Sequence, residues 1–579
     1  MKGQILFVFG SQACVPDDGL VAARQLGYET IVFGAKVMCG MSQDLVDRFE
    51  RVDLTQIDRV IGLARRVHAV EPVHGVVAYD DQAVPVAARV AEALGLPGHP
   101  VAAADAARDK VLMKHRFLAA GIPIAPFVLA KDEEDAVRWA AQNGYPVVVK
   151  PVRGSASQGV IRADDEEALR RAYRRLRRIV REYGLDCGDG SDSEQLVEGY
   201  IDGDEFSVEL LVKRGVPHVL CVFEKPLPLT GPFFEETIYV TPPRLEAVRR
   251  RAIEELAVQG VAALGLRDGA AHCEVRFEGE RGFVLEIGAR LIGGACSRVF
   301  RHVLGEDIHP YVLRVALGED VELPQQARGA AGAMMIPIPE EGRLRSMEGW
   351  AEARAVEGIE DAIVNTSPGE AILPFPEQSC YVGFLTAHGE TVEQVESALS
   401  EASGRIRLVL DPLGCERWDR TIEDQRSYSP PSEYGIRTLA GYEMRQAEEE
   451  VLPLVAASHY GELPEDAGLA AARECLGCLD GSGGGEVSPD YWLVAQGRGF
   501  ALSWVEGGIG FLSLLGVVSD QRRSGIGEAL VRSAMGLFAQ RGCTRMEVSV
   551  NPRQPGSMAF YRSLGFTAAE CHEHECCSC

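Results

Sequence analysis

The sequence predicts an α/β and α+β multidomain fold, and three observations support this prediction. The chain has 579 residues, more than one hydrophobic core normally organises, so three or four domains are expected. Its first hundred residues alternate short apolar strands with helices, as in an open parallel sheet. The middle is mixed, and a further small α/β pattern follows the Ser-, Pro- and Tyr-rich segment 425–435.

The N-terminal alternation contains three predicted strands and two predicted helices. The strands are 4–9, 30–33 and 75–78, and the helices are 20–25 and 83–94. A loop follows Phe9, but the order G-x-G-x-x-G is absent, so a dinucleotide site is unsupported there.

Composition limits the classes of partner. The formal charge of −26 argues against a nucleic acid or an anionic membrane as a general partner. No apolar stretch is long enough to span a bilayer, and the run 5–9 is more typical of a buried first strand than of a signal sequence. The 15 cysteines are scattered along the chain, which predicts mostly reduced thiols and a cytoplasmic enzyme.

A hairpin with charged faces is predicted where the sequence reads GAAHCEVRFEGERGFVLEIGARLIGG, 269–294. Period-2 alternation along its strands, 272–277 and 283–287, gathers polar side chains on shared faces. They are His272, Glu274 and Arg276 on the first strand and Glu286 and Arg290 on the second. Two carboxylates beside a cation can hold Mg²⁺ against a phosphate. The alternative is a surface hairpin whose charges are merely solvated.

A second candidate feature is a lysine at the end of an apolar run, followed by a loop of small residues. Lys150 ends the run VVVK, and the loop PVRGSASQGV comes directly after it. Small residues let backbone N–H groups approach phosphate oxygens, while the lysine supplies positive charge. The loop residues concerned are Gly154, Ser155, Ser157 and Gly159. The order is not that of a Walker A motif, and an ordinary turn is the alternative.

Two further acids and one lysine complete the set of candidates in the middle region. Glu198 ends an apolar segment and Glu205 follows a turn, where such acids can hold an adenine amine and ribose hydroxyls, although loop acids are usually only solvated. Lys110 opens a predicted helix that leads to the segment 121–123.

The order of these pieces resembles the ATP-grasp superfamily over residues 1–415. The matching pieces are Asp109-Lys110, Gly121-Ile122-Pro123, 145–151 with its small-residue loop, 198–201, 205–209, Glu274 and Glu286…Arg290. The resemblance implies Lys110 and Lys150 on ATP phosphates, Glu198 and Glu205 at the nucleoside, Glu274 and Glu286 on Mg²⁺ (or Mn²⁺), and Arg290 on an acyl phosphate. His272 would touch substrate or phosphate, or would be a hydrogen-bonded structural histidine.

One position departs from the common pattern of the superfamily. Many ATP-grasp enzymes have Glu-x-Asn-x-Arg on the second strand, whereas this chain has Gly288 in place of the metal-binding Asn. The variant with Gly293-Gly294, together with 231–236 and 334–394, resembles the L-amino-acid ligase branch, which makes dipeptides. The number of bound Mg²⁺ ions is left open by this departure.

The C-terminal pattern resembles the GNAT acyltransferase superfamily over 436–570. Predicted strands 491–495, 500–505, 511–515 and 546–550 surround the loop RRSGIG at the start of an amphipathic helix. Backbone N–H groups at such a helix start suit a pyrophosphate, and a plain helix start is the alternative. The resemblance implies acetyl-CoA binding by Val517, Val518, Arg522, Gly525 and Gly527, with Tyr561 protonating the leaving thiolate. Glu506 is the guess for a base.

This resemblance also has a departure. Where the family often has Asn-x-x-Ala before Phe-Tyr, Gln554 and Ser557 stand here. A degenerate, non-catalytic acyl-CoA sensor that regulates the ligase is therefore the alternative to an active acetyltransferase.

Cysteine and histidine side chains cluster near the C-terminal end and are soft-metal ligand types. They are Cys475, Cys478, Cys571, His572, His574, Cys576, Cys577 and Cys579. A second Cys-x-x-Cys is missing, and short polar tails are usually disordered. Metal binding, a redox-active or modified tail and an inert tail are the three alternatives.

Together these patterns predict a bifunctional cytoplasmic enzyme with ATP, Mg²⁺ and acetyl-CoA as cofactors. The predicted segments are a Rossmann-like pre-ATP-grasp domain (1–105), an ATP-grasp domain (106–325), a ligase subdomain (326–415), a linker (416–435), a GNAT domain (436–570) and a Cys/His-rich tail (571–579). We expect a small-molecule carboxylate and amine as substrates, no nucleic-acid or membrane partner, and a homodimer as the candidate assembly. Activation of a metabolite without peptide-bond formation is a third alternative.

Overall fold

The chain forms two compact units in a computed structural model, Met1–Pro412 and Leu413–Cys579. The structure describes residues 2–10, 17–35, 41–183, 185, 194–324, 329–378, 381–413, 416–422, 425, 428–430, 432–434, 436–439, 491–495, 498–506, 509–517, 523–550 and 555–568. The predicted α/β and α+β multidomain architecture is confirmed.

The first unit begins with a parallel sheet of four strands in the order β3-β2-β1-β4. The elements are β1 (Gln4–Val8), α1 (Asp17–Gln25), β2 (Glu29–Gly34), β3 (Arg48–Arg51), α2 (Ile57–Val70), β4 (Val73–Ala78), α3 (Val84–Leu94) and α4 (Val101–Arg108). Strand β1 is entirely buried, with Leu6 and Val8 in one apolar cluster and Ile5 and Phe7 in another. Cover on both faces is typical of a parallel sheet, and it explains why β1 is apolar at successive positions.

A small antiparallel sheet follows, with the strand order β5-β8-β6-β7. Its elements are α5 (Lys110–Ala119), β5 (Phe127–Ala130), α6 (Glu133–Asn143), β6 (Val147–Lys150), β7 (Ile161–Ala163), α7 (Glu166–Tyr183) and β8 (Gln195–Gly199). Helices α6 and α7 supply Ala136, Ala140, Leu169 and Leu176 to the apolar layer behind the sheet. The small-residue loop connects β6 to β7, so this sheet fixes where the loop begins and ends.

An antiparallel sheet of eight strands forms the centre of the unit, in the order β13-β12-β9-β10-β11-β14-β18-β16. The remaining elements are β9 (Asp204–Lys213), β10 (Val216–Glu224), β11 (Ile238–Thr241), α8 (Ala247–Leu264), β12 (Gly269–Glu278), β13 (Arg281–Gly288), α9 (Phe300–Leu304), α10 (His309–Ala316), β14 (Ala330–Ile336), β15 (Gly342–Glu348), α11 (Trp350–Arg354), β16 (Ile359–Val364), β17 (Ala371–Ile372), β18 (Gly383–Gly389), α12 (Val392–Ser403) and β19 (Arg407–Asp411). The predicted hairpin is β12–β13, at one edge.

The central sheet is continuous across the predicted boundary between residues 325 and 326. Strands β14, β18 and β16 extend it beyond β11, while β17, β15 and β19 form a separate three-stranded sheet. Helix α8 packs on one face with Ile253 and Val261. The chain around Val299 and Phe300 packs on the other.

The second unit contains one sheet of seven strands in the order β21-β22-β23-β24-β25-β20-β26. The elements are β20 (Glu416–Thr421), β21 (Ile436–Leu439), β22 (Tyr491–Ala495), β23 (Gly499–Glu506), β24 (Ile509–Val517), α13 (Ile526–Gln540), β25 (Arg545–Val550), α14 (Pro555–Ser563) and β26 (Thr567–Ala568). The prediction of a linker over 416–435 is wrong at its start, because β20 pairs antiparallel with β25 along its length. Across the described part of the chain, no helix combines the length and apolar character needed to cross a membrane.

Candidate active site

A partly open cleft, with about 730 Å³ of empty space including open solvent, brings most of the predicted ligase residues together. The small sheet supplies one wall and the β12–β13 hairpin supplies another. The predicted residues that line it are Lys110, Lys150, Gly154, Ser155, Ser157, Glu198, Glu205, Glu274 and Glu286. Arg290 lines a second cavity. Residues separated by well over a hundred positions thus converge on one partly open, charged space.

Glu198 lies between two buried lysines at the base of this cavity. Its carboxylate pairs with Lys150 at the end of β6 and with Lys114, whose Nζ lies 2.5 Å from Glu198 Oε2. Although burial opposes ionisation, the two lysines hold the pKa of Glu198 at about 2. Burial lowers the pKa of Lys114 despite the glutamate, whereas Glu198 raises that of Lys150 in spite of burial. Sequence analysis missed Lys114, one helical turn after Lys110.

Lys110 opens α5 because Asp109 caps the helix, accepting the N–H groups of Val111 and Leu112 at 3.0 Å. The Lys110 ammonium lies 3.1 Å from Glu286 Oε2 and 3.0 Å from the carbonyl oxygen of Gly154. The predicted phosphate-binding lysine therefore touches both the predicted metal ligand and the first glycine of the loop. Incoming phosphate oxygens would replace these partners.

The small-residue loop is anchored at its far end to the segment after β17. Gly159 donates its N–H to the carbonyl oxygen of Pro376 at 3.0 Å, and Gln158 Nε2 donates to the Glu377 carbonyl oxygen at 2.7 Å. The Glu377 carboxylate accepts two bonds from Arg175 on α7, at 2.8 and 2.9 Å. Gly159 has φ +73°, and a Cβ there would lie 2.6 Å from Leu176. These contacts fix the end of the loop in place, and phosphate binding by the loop stays a prediction.

Glu205 contacts cations through both oxygens. Arg276 Nε donates to its Oε2 at 2.7 Å, and the Lys225 ammonium pairs with its Oε1. Arg276 also donates to the carbonyl oxygens of Ile201 at 2.9 Å and Leu229 at 2.7 Å. The role of Glu205 at the nucleoside stays a prediction. The contacts with Arg276 and Lys225 fix the position of its carboxylate.

Lys225 and Glu236 are site residues that sequence analysis missed. The Lys225 ammonium pairs with Glu205 and Glu236 and lies 3.2 Å from Glu274 Oε1. Glu236 also accepts a hydrogen bond from the Tyr239 hydroxyl at 2.5 Å. Burial raises the pKa of Glu236 to about 7, although Lys225 opposes the shift. The sequence indicated Glu236 only as part of the segment 231–236, which resembles the L-amino-acid ligase branch.

The two predicted metal ligands face one another across the hairpin. Glu274 on β12 pairs in register with Glu286 on β13, and a bulge follows Glu274. Val275 and Phe277 are buried in the core on the opposite face, as the alternation predicts. His272 and Arg276 are buried as well. The alternative of merely solvated charges is therefore wrong for this hairpin.

The donor set fits a hard divalent cation. Glu274 and Glu286 offer carboxylate oxygens, the ligand type that Mg²⁺ prefers. Lys225 and Lys110 contact these two carboxylates, so carboxylate oxygens and ammonium groups lie side by side in the site. Glu205, Glu236 and Glu274 also offer oxygens within 4.8 Å of one another, with the Lys225 ammonium touching all three.

His272 is bound through both ring nitrogens. Nδ1 lies 2.5 Å from Glu209 Oε1 and Nε2 lies 3.3 Å from Glu274 Oε1. Glu209 also accepts the N–H of Ile292 at 3.3 Å. Although burial disfavours the imidazolium, Glu209 raises the pKa of His272 to about 10, with help from Glu274. The hydrogen-bonded histidine foreseen as one alternative is present, and substrate contact stays a prediction.

We expect the stabilising contribution of His272 to disappear in alkaline solution. Its folded pKa of about 10 lies above the ordinary 6.5, so the contribution is complete below about pH 6.5 and is lost as pH rises through about 10. Urea denaturation of wild type and His272→Gln should give midpoints that converge between pH 7 and pH 10. His302→Gln, which removes a more exposed pair with Glu360, is the control. A constant gap would contradict the prediction.

Arg290 is held by the N-terminal part of the same unit. Its Nη2 donates to Asp81 Oδ2 at 2.7 Å and its Nη1 to the carbonyl oxygen of Leu291 at 3.0 Å. Despite burial, Arg290 lowers the pKa of Asp81. The predicted acyl-phosphate residue thus has a partner that its own strand does not provide.

In the second unit, the predicted pyrophosphate loop leads directly into α13. Gly525 caps the helix with φ +86°, a conformation that favours glycine. A Cβ there would lie 2.7 Å from the Tyr434 hydroxyl, which donates to the Ser524 carbonyl oxygen at 2.8 Å. A Cβ at Gly527 would touch Val517 at 3.5 Å. Tyr434 was missed because it lies in the predicted linker.

The described part of this unit omits several predicted residues. Tyr561 is buried beside Phe560 and Phe566, and burial raises the pKa of its phenol. The predicted residues outside the described ones are Val518, Arg522, Gln554, Cys475, Cys478, Cys571, His572, His574, Cys576, Cys577 and Cys579, together with the side chain of Glu506.

Four family models match successive segments of the chain. They are the ATP-grasp N-terminal domain at 20–98, the ATP-grasp domain at 143–299, the L-amino acid ligase C-terminal domain 2 at 334–411 and the acetyltransferase (GNAT) family at 445–566. Their order is the order that the sequence predicts.

Individual proteins are also similar to parts of this chain. The crystal structure of an L-amino acid ligase from Bacillus licheniformis matches with a TM-score of 0.63 and 27% identity, over 71% of this chain and 100% of that one. The alanine–anticapsin ligase of Bacillus subtilis is 27% identical over 41% of this chain, which spans about half (52%) of the relative. An uncharacterized protein of Sinorhizobium fredii is 23% identical over 66% of this chain and 76% of its own length.

The matched segments include β6, the facing glutamates of β12 and β13 and the capped helix α13, whereas α5 with Lys110 lies between two of them. By these matches the chain contains an ATP-grasp region followed by an L-amino acid ligase C-terminal domain, and a GNAT-family domain comes after them.

Proposed function

We propose that the protein is a bifunctional enzyme, which joins the carboxylate of an amino acid to an amine with ATP and acetylates its substrate or product from acetyl-CoA. The observation that supports the ligase activity best is the convergence of Lys110, Lys150, Glu274 and Glu286 on one cavity. Two cations for phosphates and two facing carboxylates for Mg²⁺ (or Mn²⁺) are what phosphoryl transfer to a carboxylate needs.

The reaction balances in two steps. A substrate carboxylate oxygen attacks the γ-phosphorus of ATP, which gives an acyl phosphate and ADP. The amine nitrogen then attacks the acyl carbon, and phosphate and a proton leave as the amide forms. Mg²⁺ would neutralise charge on the transferring phosphoryl group.

The chain's own residues bind, orient and exclude water. Lys110 and Lys150 contact the phosphates, and Glu198 and Glu205 contact the nucleoside. Arg290 stabilises the oxyanion in the amide-forming step. The loop 154–159 covers the phosphates and limits hydrolysis of the intermediate. We place the enzyme in the cytoplasm, in keeping with its scattered cysteines.

A screen of amino-acid pairs tests this proposal. Purified full-length protein is incubated with ATP, Mg²⁺ and pairs of amino acids, and released phosphate is measured. Mass spectrometry identifies the product, first without and then with acetyl-CoA. A dipeptide mass accompanied by stoichiometric phosphate supports the ligase, and an added acetyl group supports the second activity. Phosphate release with a single carboxylate and no amide would favour metabolite activation instead.

The GNAT domain has two candidate roles, catalysis and regulation. Gln554 and Ser557 depart from the family pattern, which is the reason for the regulatory candidate. In the first role, N–H groups at the start of α13 bind the pyrophosphate of acetyl-CoA and Tyr561 supplies a proton. In the second, the domain binds an acyl-CoA and regulates the ligase without catalysis.

Tyr561→Phe separates these roles. Because phenylalanine keeps the ring and removes only the hydroxyl that would protonate the leaving thiolate, we expect acetyl transfer to fall about 10²-fold with CoA affinity unchanged. Tyr428→Phe, half-buried in the same unit, is the control. Normal transfer with normal CoA binding would refute the role of Tyr561. CoA binding without acetyl transfer in the wild type would favour the sensor.

A further inference from the structure

Two consecutive acids form the turn between β4 and α3, and the first of them fixes the direction of the second. Asp80 is buried and accepts the N–H groups of Gly10 at 2.7 Å and Ala83 at 3.0 Å. These bonds hold the turn to the rest of the parallel sheet. Asp81, the next residue, is therefore presented by a rigid turn and not by a mobile loop.

Asp81 reaches across to the strand end that carries the predicted catalytic arginine. Its Oδ2 accepts from Arg290 Nη2 at 2.7 Å, and both side chains are largely buried, at 15% and 16% exposure. Together with the Leu291 carbonyl oxygen, Asp81 uses two of the five N–H donors of the guanidinium. The donors that remain are those that the proposed function assigns to the acyl phosphate.

Gly288 explains how this contact is possible. A Cβ at Gly288 would lie 3.2 Å from Asp81 Oδ1 and 3.6 Å from Arg290 Cζ. A methyl group would crowd the Asp81 carboxylate and would make an ordinary contact with Arg290, and the Asn that many relatives of this fold carry there would need more room. The glycine that removes a metal ligand thus provides the space beside the second carboxylate oxygen of Asp81.

We propose that Asp81 is a positioning residue for Arg290 and that Gly288, which has no side chain, leaves room for the ion pair. The inference rests on the proposed ligase function, in which Arg290 stabilises the acyl phosphate. The orientation of the arginine then comes from the parallel-sheet part of the unit, through Asp81, and depends on the absence of a side chain at 288.

Asp81→Asn is the first test, because it keeps the shape and removes the charge. We expect kcat for dipeptide formation to fall about 10²-fold, as misplacement of a catalytic group by about 1 Å can cost, while the KM for ATP stays nearly constant. Phosphate released per dipeptide should rise above one, because a poorly held acyl phosphate is hydrolysed. Asp105→Asn removes another Asp–Arg pair, with Arg89 at 2.7 and 2.8 Å, and should leave all three quantities unchanged. Wild-type kcat and coupling in Asp81→Asn would overturn the proposal.

Gly288→Asn is the second test. If the Asn side chain acts by displacing the ion pair, Gly288→Asn and Asp81→Asn lower kcat for the same reason. The kcat of the double variant should then be no lower than that of the slower single variant. Multiplication of the two losses would show independent effects and would overturn the proposal.

A structural measurement separates this inference from the ligase proposal. If the wild type forms no amide with any pair, the ligase function fails, yet crystal structures of both variants still report the arginine. Displacement of the Arg290 guanidinium in both supports positioning by Asp81. An unmoved guanidinium in both overturns it, even if the ligase is fully active.

Discussion

Glu286→Gln is expected to lower ATP-dependent phosphate release by about 10³-fold or more, since Lewis-acid stabilisation by a bound metal amounts to several kcal/mol. Glutamine keeps the size of the side chain and removes the charge that we assign to Mg²⁺ binding and that pairs with Lys110 at 3.1 Å. The partly exposed position of Glu286 limits the cost to folding. Phosphate release at several Mg²⁺ concentrations measures the effect, and a higher Mg²⁺ requirement is expected with it.

The control lies on the same hairpin. Glu278 ends β12 and is exposed, so Glu278→Gln should leave phosphate release near the wild-type rate. Acetyl-CoA chemistry should survive in Glu286→Gln, because the GNAT-family domain belongs to the other compact unit. Loss of both activities in a folded Glu286→Gln protein would contradict two independent sites.

The sequence predicts the parts of this site that local patterns define. Alternation along β12 separates His272 and Glu274 from the core residues Val275 and Phe277, and the pairing of Glu274 with Glu286 confirms that the hairpin brings the acids together. The order of motifs identifies the family even though each motif alone is ambiguous. Periodicity within one strand is a local property, so a single sequence carries it.

The residues that sequence analysis missed are those whose roles depend on contacts between distant elements. Lys225 follows β10 and meets Glu205 of β9, Glu274 of β12 and Glu236 of the connection to β11. Asp81 lies 209 positions from Arg290. Strand β20 was assigned to a linker because its partner β25 lies more than a hundred residues away. Nothing in the spacing of such residues predicts their pairing.

Glu198→Gln should produce the largest loss of stability, because it leaves two lysines buried without their shared counter-charge. Breaking a buried ion pair by removing one partner typically costs about 3–5 kcal/mol, and here Lys114 and Lys150 also repel one another. The loss should be concentrated in the small sheet, where amide hydrogen exchange of β6 and β8 reports local opening. We expect these amides to exchange at least about 10²-fold faster than in the wild type at pH 7.

The pH dependence gives this prediction its sign. The folded pKa of Glu198 is about 2, below its ordinary 4.5, so its contribution is present above about pH 4.5 and is lost as pH falls through about 2. Glu133→Gln breaks a more exposed pair with Arg174 at 2.8 Å on the same sheet layer and should cost less than about 1 kcal/mol. If both variants exchanged like the wild type at neutral pH, the small sheet would be held by its apolar layer alone. The lysines would then be retained for phosphate binding and not for folding.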